Sequence, residues 1–177
     1  MRQADDLIGA LVFLRPLTID DVSAEYVAWL NDPEVNAYSE YRHQHHTLES
    51  VRADVARICA DARNAFFVII ECRTGVHVGN VKLGPVDTPH HRASIGSVIG
   101  KQFWGRGYAS DAIALIEQYA FRSLDLHKLT AGMYATNRGS FRVFEKCGFS
   151  IEGRRLAHCL QGDQWVDYIE MGKVCTA

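Results

Sequence analysis

The stretch QFWGRGYASD at residues 102–111 has a glycine on each side of Arg106 and runs directly into a helix-like sequence. Glycine allows backbone conformations and a close ligand approach that a side chain would prevent. The backbone N–H groups of residues 105–109 would lie at the start of the helix, where they have no intrahelical acceptor and the helix dipole is positive. Such a helix start binds phosphate oxygens. The residue types and spacing therefore predict a phosphate-binding loop, to which Arg106 adds charge.

Two nucleotide-binding motifs do not match this loop. It lacks the G-x-x-x-x-G-K-[ST] sequence of nucleoside triphosphate loops, and Ser110 stands where a dinucleotide-binding loop has its third glycine. On its own, GRG is also typical of a tight turn between a strand and a helix. The choice between a turn and a binding loop therefore depends on the neighbouring elements and motifs.

Hydrophobic periodicity and helix caps predict the elements that position this loop. The predicted order is β-α-α-β-β-β-α-β-α-β-β, with Thr18 as the cap of the first helix and Thr47 or Ser50 as the cap of the second. The predicted ranges are 10–18, 18–35, 47–64, 65–72, 76–84, 92–100, 108–124, 127–135, 137–148 and a final hairpin over 149–174. This order indicates a single mixed α+β domain over residues 1–177.

The composition predicts the cellular location of the chain and argues against some classes of partner. A net charge of −2 argues against binding to nucleic acid or to an anionic membrane. No apolar run is long enough to span a bilayer, and the amino-terminal sequence lacks the pattern of a signal peptide. Five cysteines without C-x-x-C spacing indicate reduced thiols rather than disulfides or a zinc site. We therefore expect a cytoplasmic protein without a metal.

Longer sequence blocks around the glycine loop resemble one enzyme superfamily. Residues 102–109, QFWGRGYA, resemble the Q/R-x-x-G-x-G/A loop that holds the acyl-CoA pyrophosphate in GNAT acetyltransferases. The strings WGRGYAS-DA, LDLHKLTAGMYATNRGSFRVFEKCGFSIEG and GDQWVDYIEM are similar to the RimJ/RimL-like branch. That branch commonly has glutamate where this chain has Asp111. The resemblance covers the whole chain in the right element order and is strongest over residues 76–170.

The resemblance implies a GNAT fold, which is a mixed central sheet with helices on both faces and two neighbouring strands that splay apart. Those strands would be residues 93–100 and 128–134, with Gly96 at a bulge. The gap would hold the pantetheine arm of the co-substrate acetyl-CoA while a neutral amine attacks the thioester carbon. The reaction needs a bound pyrophosphate, an N–H group for the oxyanion and a proton donor for the leaving sulfur.

The resemblance also implies residues for these roles. Backbone near Val98 and Ile99 would stabilise the oxyanion. Asn137 and Ser140 match the branch's N-x-x-S, so Asn137 would contact coenzyme A and Ser140 would lie near the sulfur as a proton donor. By residue type alone, Asn137 is equally a helix N-cap and Ser140 a first-turn serine. The residues implied to bind the cofactor are Val98, Ile99, Gln102, Gly105, Arg106, Gly107, Tyr108, Ala109, Asn137 and Ser140.

The acceptor site is expected near the first two helices, which often wall it in this superfamily. That expectation points to Trp29, Tyr38 and Tyr41 as acceptor-binding residues. His91 precedes the splayed strand. Asp167 matches a branch aspartate, for which two roles stay open: binding the amine as a cation, or pairing with an arginine. The sequence does not identify the general base. The candidates are a water chain, Glu71, His77, His90, His91 and Asp167.

The histidine-rich loop at His43, His45 and His46 raises the alternative of a metal site. Imidazoles bind zinc or nickel, but no cysteine or aspartate completes a ligand set at helical or hairpin spacing. A mobile loop over the acceptor pocket is the preferred interpretation.

The predicted function is transfer of the acetyl group of acetyl-CoA to a primary amine. The branch implies a protein N-terminus as the acceptor, with an amine on a small molecule, such as a nucleotide-linked amino sugar, as the equal alternative. A non-catalytic acyl-CoA-binding module is the alternative from another functional class. Dimers are usual in the branch, so a homodimer is expected by analogy.

Overall fold

The computed structural model describes residues 6–176, so residues 1–5 and 177 of the predicted domain lie outside the described part. The eight strands are β1 Leu7–Ile8, β2 Val12–Pro16, β3 Ala65–Glu71, β4 His77–Leu83, β5 Arg92–Ile99, β6 Lys128–Tyr134, β7 Ser150–Gln161 and β8 Gln164–Val174. The four α-helices are α1 Ala24–Asn31, α2 Leu48–Ala60, α3 Tyr108–Gln118 and α4 Arg138–Lys146. None of the helices within the described residues combines the length and hydropathy needed to cross a bilayer.

The strands form one mixed sheet in the order β1-β2-β3-β4-β5-β6-β8-β7. All neighbouring strands are antiparallel except β5 and β6, which are parallel. One core cluster packs α3 and α4 against one face, with Ile113, Ile116 and Phe144 buried. A second cluster packs α1 and α2 against the other face, with Trp29 and Val55 buried. The predicted α+β fold, with a mixed sheet and helices on both faces, is confirmed.

The parallel pair β5–β6 comes apart along its length. Pairing runs from Arg92↔Lys128 to Ser94↔Thr130 and then stops. Beyond that point β5 stays paired with β4 as far as Gly79↔Ile99, and β6 stays paired with β8 as far as Tyr134↔Tyr168. Each strand is thus held by its outer neighbour while the two separate from each other. The predicted splay is confirmed, and it leaves a slot in the middle of the sheet.

The first helix begins later than its sequence indicates. Thr18 precedes a short 3₁₀ turn at Ile19–Asp21, and α1 starts after Ser23, whose Oγ accepts the N–H of Tyr26 at 3.1 Å. Asp21 explains the difference, because its carboxylate binds the N–H and hydroxyl of Thr18 and so closes a turn of its own. Here a local side-chain hydrogen bond competes successfully with the helix.

Gly96 does not mark a bulge, contrary to expectation. The β4–β5 register runs without a shift through Lys82↔Gly96 and Val81↔Ser97. A Cβ added at Gly96 would meet no atom within 4 Å. The glycine therefore leaves open space above a regular strand, and the strand separation comes from the end of β5–β6 pairing rather than from an inserted residue.

Asp111, in the first turn of α3, ties that helix to the turn between β1 and β2. Its Oδ2 accepts the backbone N–H groups of Leu11 at 2.8 Å and Val12 at 3.0 Å. We expect Asp111→Ala to lower the free energy of unfolding by roughly 1–2 kcal/mol, because it leaves two donors without an acceptor. Asp111→Asn keeps one acceptor oxygen, so it should lower the free energy of unfolding by less. Urea unfolding measures the difference, and an Asp111→Ala protein as stable as the parent would contradict the assignment.

Candidate active site

The glycine loop enters α3 with two residues in the left-handed region. Gly105 has φ +74° and Gly107, the N-cap of α3, has φ +85°. The first N–H groups of α3 have no intrahelical acceptor, and within residues 6–176 no loop carbonyl accepts from Gly105, Arg106 or Gly107. A Cβ at Gly105 would meet nothing within 4 Å. The loop therefore presents bare backbone donors to open space, which is the arrangement that binds phosphate oxygens.

Contacts on either side hold this loop in place. The Gln102 amide donates to Glu25 Oε1 of α1 at 2.7 Å, and the Gln102 carbonyl accepts from Arg106 at 3.0 Å. The Tyr108 hydroxyl donates to Glu71 at the end of β3. Gln102 thus holds the loop to α1 and does not line the cleft, contrary to its expected place among the cofactor-binding residues.

A cleft of about 770 Å³ extends from the loop past the last residues of β5, at 97–99, to the start of α4. Four cationic side chains line it, from the loop and from α4: Arg106, Arg138, Arg142 and Lys146. None of them forms an ion pair within the described residues, whereas the cleft carboxylate Glu34 is neutralised by Lys101 at 2.5 Å. The cleft therefore carries excess positive charge although the whole chain has a net charge of −2, and it suits a ligand with several phosphate groups.

The backbone of β5 supplies hydrogen-bonding groups to the slot. The Gly84 N–H donates to the Ser94 carbonyl and the Gly100 N–H to the Val78 carbonyl. By strand alternation, Val98 then directs its backbone groups to β4, and Ser97 and Ile99 direct theirs into the slot. The Ile99 carbonyl is already taken by the Trp104 indole N–H at 2.8 Å. Of the two residues expected to offer a backbone N–H, Val98 therefore directs its own to β4, while Ile99 and its neighbour Ser97 direct theirs into the slot.

Asn137 and Ser140 lie together at the mouth of the cleft. The Asn137 Oδ1 accepts the Ser140 backbone N–H at 3.1 Å, so Asn137 is the N-cap of α4. Both residues line the cleft, and the Ser140 hydroxyl has no hydrogen-bond partner within residues 6–176. The cap turns the Asn137 Oδ1 inward to the helix, while the Ser140 hydroxyl is free to meet a ligand.

A second cavity, of about 300 Å³, lies on the α1–α2 face of the sheet. Tyr38 and Tyr41 line it, as expected for acceptor-binding residues. It shares five wall residues with the cleft, namely Val35, Tyr38, Ser97, Val98 and Asn137. The two spaces therefore meet beside the slot at Ser97 and Val98, so a ligand in each would come into contact there.

Three expected acceptor-binding residues lie elsewhere. Trp29 is 4% exposed and packs edge-on against His77 and Phe103 in the core. His91 lies at the paired end of β5, where its Nδ1 is 3.1 Å from the Asp125 carbonyl. Asp167 braces the β7–β8 hairpin through Arg154 and the Ala157 N–H, and the hydrogen bonds from these two groups lower the pKa of its carboxyl. None of the three lines either cavity.

The histidine-rich loop is anchored rather than free. His46 is 2% exposed, its N–H donates to Asn31 Oδ1 at 2.9 Å, and its Nε2 is 2.9 Å from the Tyr41 carbonyl. Glu40, in the same loop, accepts the Tyr134 hydroxyl of β6 at 2.7 Å. In the described part of the chain, no three histidine, cysteine or acidic side chains lie close enough to hold a metal ion. The loop is therefore tied to α1 and β6 by these hydrogen bonds, and it reaches the second cavity through Tyr41 and not through its histidines.

The family of the chain follows from its sequence match. A sequence model of the acetyltransferase (GNAT) domain matches residues 12–150, a range that runs from β2 through the glycine loop to the start of β7. The chain belongs to the GNAT acetyltransferase family. It is accordingly an N-acetyltransferase that uses acetyl-CoA as its co-substrate, and the alternative of a non-catalytic binding module is set aside.

Known GNAT proteins resemble the chain at moderate sequence identity. The uncharacterized N-acetyltransferase p20 of Bacillus licheniformis is 28% identical over 145 residues, which is 79% of each chain. The spermidine N(1)-acetyltransferase of Escherichia coli strain K12 is 30% identical over 103 residues, or 58% of this chain and 55% of that protein. The structure of RimL, a ribosomal L7/L12 alpha-N-protein acetyltransferase in complex with coenzyme A, superposes with a TM-score of 0.87 at 15% identity, over 96% of this chain and 98% of that one. The resemblance to the RimJ/RimL-like branch thus holds for the fold.

Several residues that line the cleft of this GNAT chain were not predicted from the sequence. Arg138, Arg142 and Lys146 follow one another at four-residue spacing, which places them on one face of α4. That spacing is visible in the sequence and could have predicted a basic helix face. Ser97 is different, because only the β4–β5 register shows which strand residues turn their backbone to the slot.

Proposed function

We propose that this GNAT enzyme transfers the acetyl group of acetyl-CoA to a primary amine that enters through the α1–α2 cavity. The observation that carries the proposal is the meeting of the two cavities at Ser97 and Val98, beside the open slot. The thioester would lie at this junction, with coenzyme A in the basic cleft and the amine on the opposite side of the sheet. Direct attack then needs no covalent enzyme intermediate.

The proposed cofactor contacts follow the cleft wall. The N–H groups of residues 105–109 bind the pyrophosphate, and the four cleft cations add charge to the phosphate sites. A slot-facing N–H of Ser97 or Ile99 stabilises the oxyanion that forms when the amine attacks. Ser140 donates its proton to the departing sulfur, and Asn137 holds the start of α4 so that this hydroxyl faces the cleft.

We propose that water removes the proton of the amine. Among the described residues that line the acceptor cavity there is no histidine, and the single carboxylate, Asp54, pairs with Arg57 at 2.9 Å. Burial raises the pKa of the lining residues Tyr26 and Tyr41, so neither ionises to act as a base near neutral pH. The five candidate bases named from the sequence line neither cavity: Glu71, His77, His90, His91 and Asp167.

The acceptor class can be identified with a panel assay. The panel would hold N-terminal peptides, amino sugars, nucleotide-linked amino sugars, simple amines and spermidine, the acceptor named for one of the relatives. Thiol release from acetyl-CoA, read with a thiol reagent and checked by mass spectrometry of the acetylated product, reports turnover. Acetylation of at least one amine is the expected result. Tight binding of coenzyme A without turnover of any amine would overturn the proposal.

The role of Ser140 gives a separate prediction. We expect Ser140→Ala to lower kcat by about 10- to 100-fold, because general acid catalysis contributes on that order or more, with unchanged affinity for coenzyme A. Ser110 offers a matched control, since its side chain belongs to the same cleft but lies on α3. Steady-state kinetics of Ser110→Ala should match the parent. Equal kcat for the Ser140→Ala and parent enzymes would remove Ser140 from the mechanism.

A further inference from the structure

The acceptor cavity contains a lysine without a partner. Lys82, on β4, lines the cavity and is half-buried. Within residues 6–176 it makes no ion pair, in contrast to Lys101, Lys128 and Lys173, which each pair with a glutamate. A half-buried cation that the protein does not neutralise favours an anionic partner from outside.

The other charge in the cavity wall does not offset Lys82. Asp54 on α2 is the only further charged residue among the described lining residues, and its carboxylate is held by Arg57 at 2.9 Å. The remaining lining residues are apolar, aromatic or neutral polar side chains. The excess charge of the acceptor cavity is therefore positive and resides on Lys82.

A neutral donor lies beside the lysine. Asn80 is 1% exposed, lines the cavity, and its Nδ2 has no hydrogen-bond partner. The Nε2 of His77 lies 3.1 Å from the Asn80 Oδ1 and 3.0 Å from the Gly79 carbonyl. Both neighbours are acceptors, so Nε2 carries the proton and fixes the Asn80 oxygen on its side. The Asn80 amide N–H groups are then left for a ligand, because an unpaired buried donor is costly.

The strand register shows how far each of these groups lies from the point where the two cavities meet. Asn80 is opposite Val98, where the two cavities meet, and Lys82 is opposite Gly96, one step deeper on the same face. Alternate residues on one strand face are about 7 Å apart. The open space above Gly96 lies next to Lys82. An acceptor would therefore place its amine near Asn80 and its far end near Lys82.

We propose that the acceptor is a primary amine whose far end carries an anionic group, a carboxylate or a phosphate, held by Lys82 and oriented by the Asn80 amide. The inference rests on the proposed function of this cavity and names its substrate class. It disfavours polyamines, because a second ammonium group would meet the unpaired Lys82 charge. Amino acids, amino sugar phosphates and nucleotide-linked amino sugars all meet the requirement.

The test uses four amines of equal chain length that differ only at the far end. They are 4-aminobutyrate, 4-amino-1-butanol, butylamine and 1,4-diaminobutane, with 3-aminopropyl phosphate as the phosphate probe. We expect kcat/KM to be about 10- to 100-fold higher for the anionic amines than for the diamine, as a charge-assisted hydrogen bond allows. Lys82→Met keeps the aliphatic stem and should abolish the preference. Lys82→Arg should retain it, and Lys82→Glu should reverse it.

The outcomes separate the inference from the function on which it rests. A carboxylate or phosphate preference that disappears in Lys82→Met supports the inference. The anion that gives the higher kcat/KM identifies whether the acceptor carries a carboxylate or a phosphate. Turnover of the diamine or butylamine at least as fast as the anionic amines overturns the inference but leaves acetyl transfer intact. A preference unchanged in Lys82→Met also overturns it. Absence of turnover with every amine, in a protein that binds coenzyme A, overturns the proposed function and the inference with it.

Discussion

Gly105→Glu is expected to weaken coenzyme A binding by about a hundredfold or more, which corresponds to roughly 2.8 kcal/mol. Gly105 lies among the bare N–H donors of the loop, at φ +74°, and a Cβ there meets no protein atom. The new side chain therefore costs the fold little in packing, but its carboxylate points into the space where we place the pyrophosphate. The carboxylate would repel the pyrophosphate. It would also occupy the phosphate site, because the loop N–H donors would bind the protein's own carboxylate instead.

The chain offers a closely matched control for this change. Gly75, in the β3–β4 turn, has φ +71° and equally open surroundings. Gly75→Glu carries the same backbone strain and the same added charge at a position that lines neither cavity. Isothermal titration calorimetry with coenzyme A should show the loss only for Gly105→Glu. Equal affinities of the two variants would place the phosphate site elsewhere.

Gly96→Val is expected to block the acceptor while leaving the cofactor site intact. Gly96 lines the acceptor cavity but not the cleft, and its missing Cβ leaves space above a regular strand. Valine suits a strand, so the fold should tolerate the change. The added methyl groups would fill space next to Lys82 and displace the amine from the thioester. We expect kcat/KM for the acceptor to fall about a hundredfold, since a displacement of about 1 Å is enough for that loss.

Affinity for coenzyme A serves as the internal control for this variant and should stay within error of the parent. Gly153→Val provides a second control, because Gly153 lies on β7 and lines neither cavity, and a Cβ there meets only the Glu170 side chain. A Gly96→Val enzyme with normal acceptor kinetics would show that the amine approaches by another route. Equal losses of coenzyme A affinity and acceptor turnover would show that the two cavities are not separate sites.

The proposed cofactor half of the site could be identified from sequence because it is built from residues that lie close together in the chain. The loop at 105–109 has its own conformational signature in two glycines, and a helix start carries its binding capacity wherever it lies. Asn137 and Ser140 are likewise joined by a local N-cap. Short-range rules describe such units without knowledge of the rest of the fold.

The acceptor half was much less predictable because its residues come from distant parts of the chain. Trp29 and Tyr38 are equally aromatic in sequence, yet only Tyr38 lines the cavity while Trp29 is buried in the core. Lys82 and Asn80 carry no motif at all. Their significance depends on facing Gly96 and Val98 across the β4–β5 register.

By itself, the sequence predicted the α+β class, the glycine loop at a helix start, and the order of the helices and strands apart from the short strand β1, since each follows from local periodicity, capping or glycine spacing. The tertiary structure alone decided three further features. It showed where β5 and β6 part, which backbone groups of β5 face the slot, and that the acceptor cavity holds a lysine, Lys82, with no ion pair among the described residues. All three depend on strand register and on contacts between residues far apart in the chain, and a shift of one residue in that register would turn every group to the opposite side.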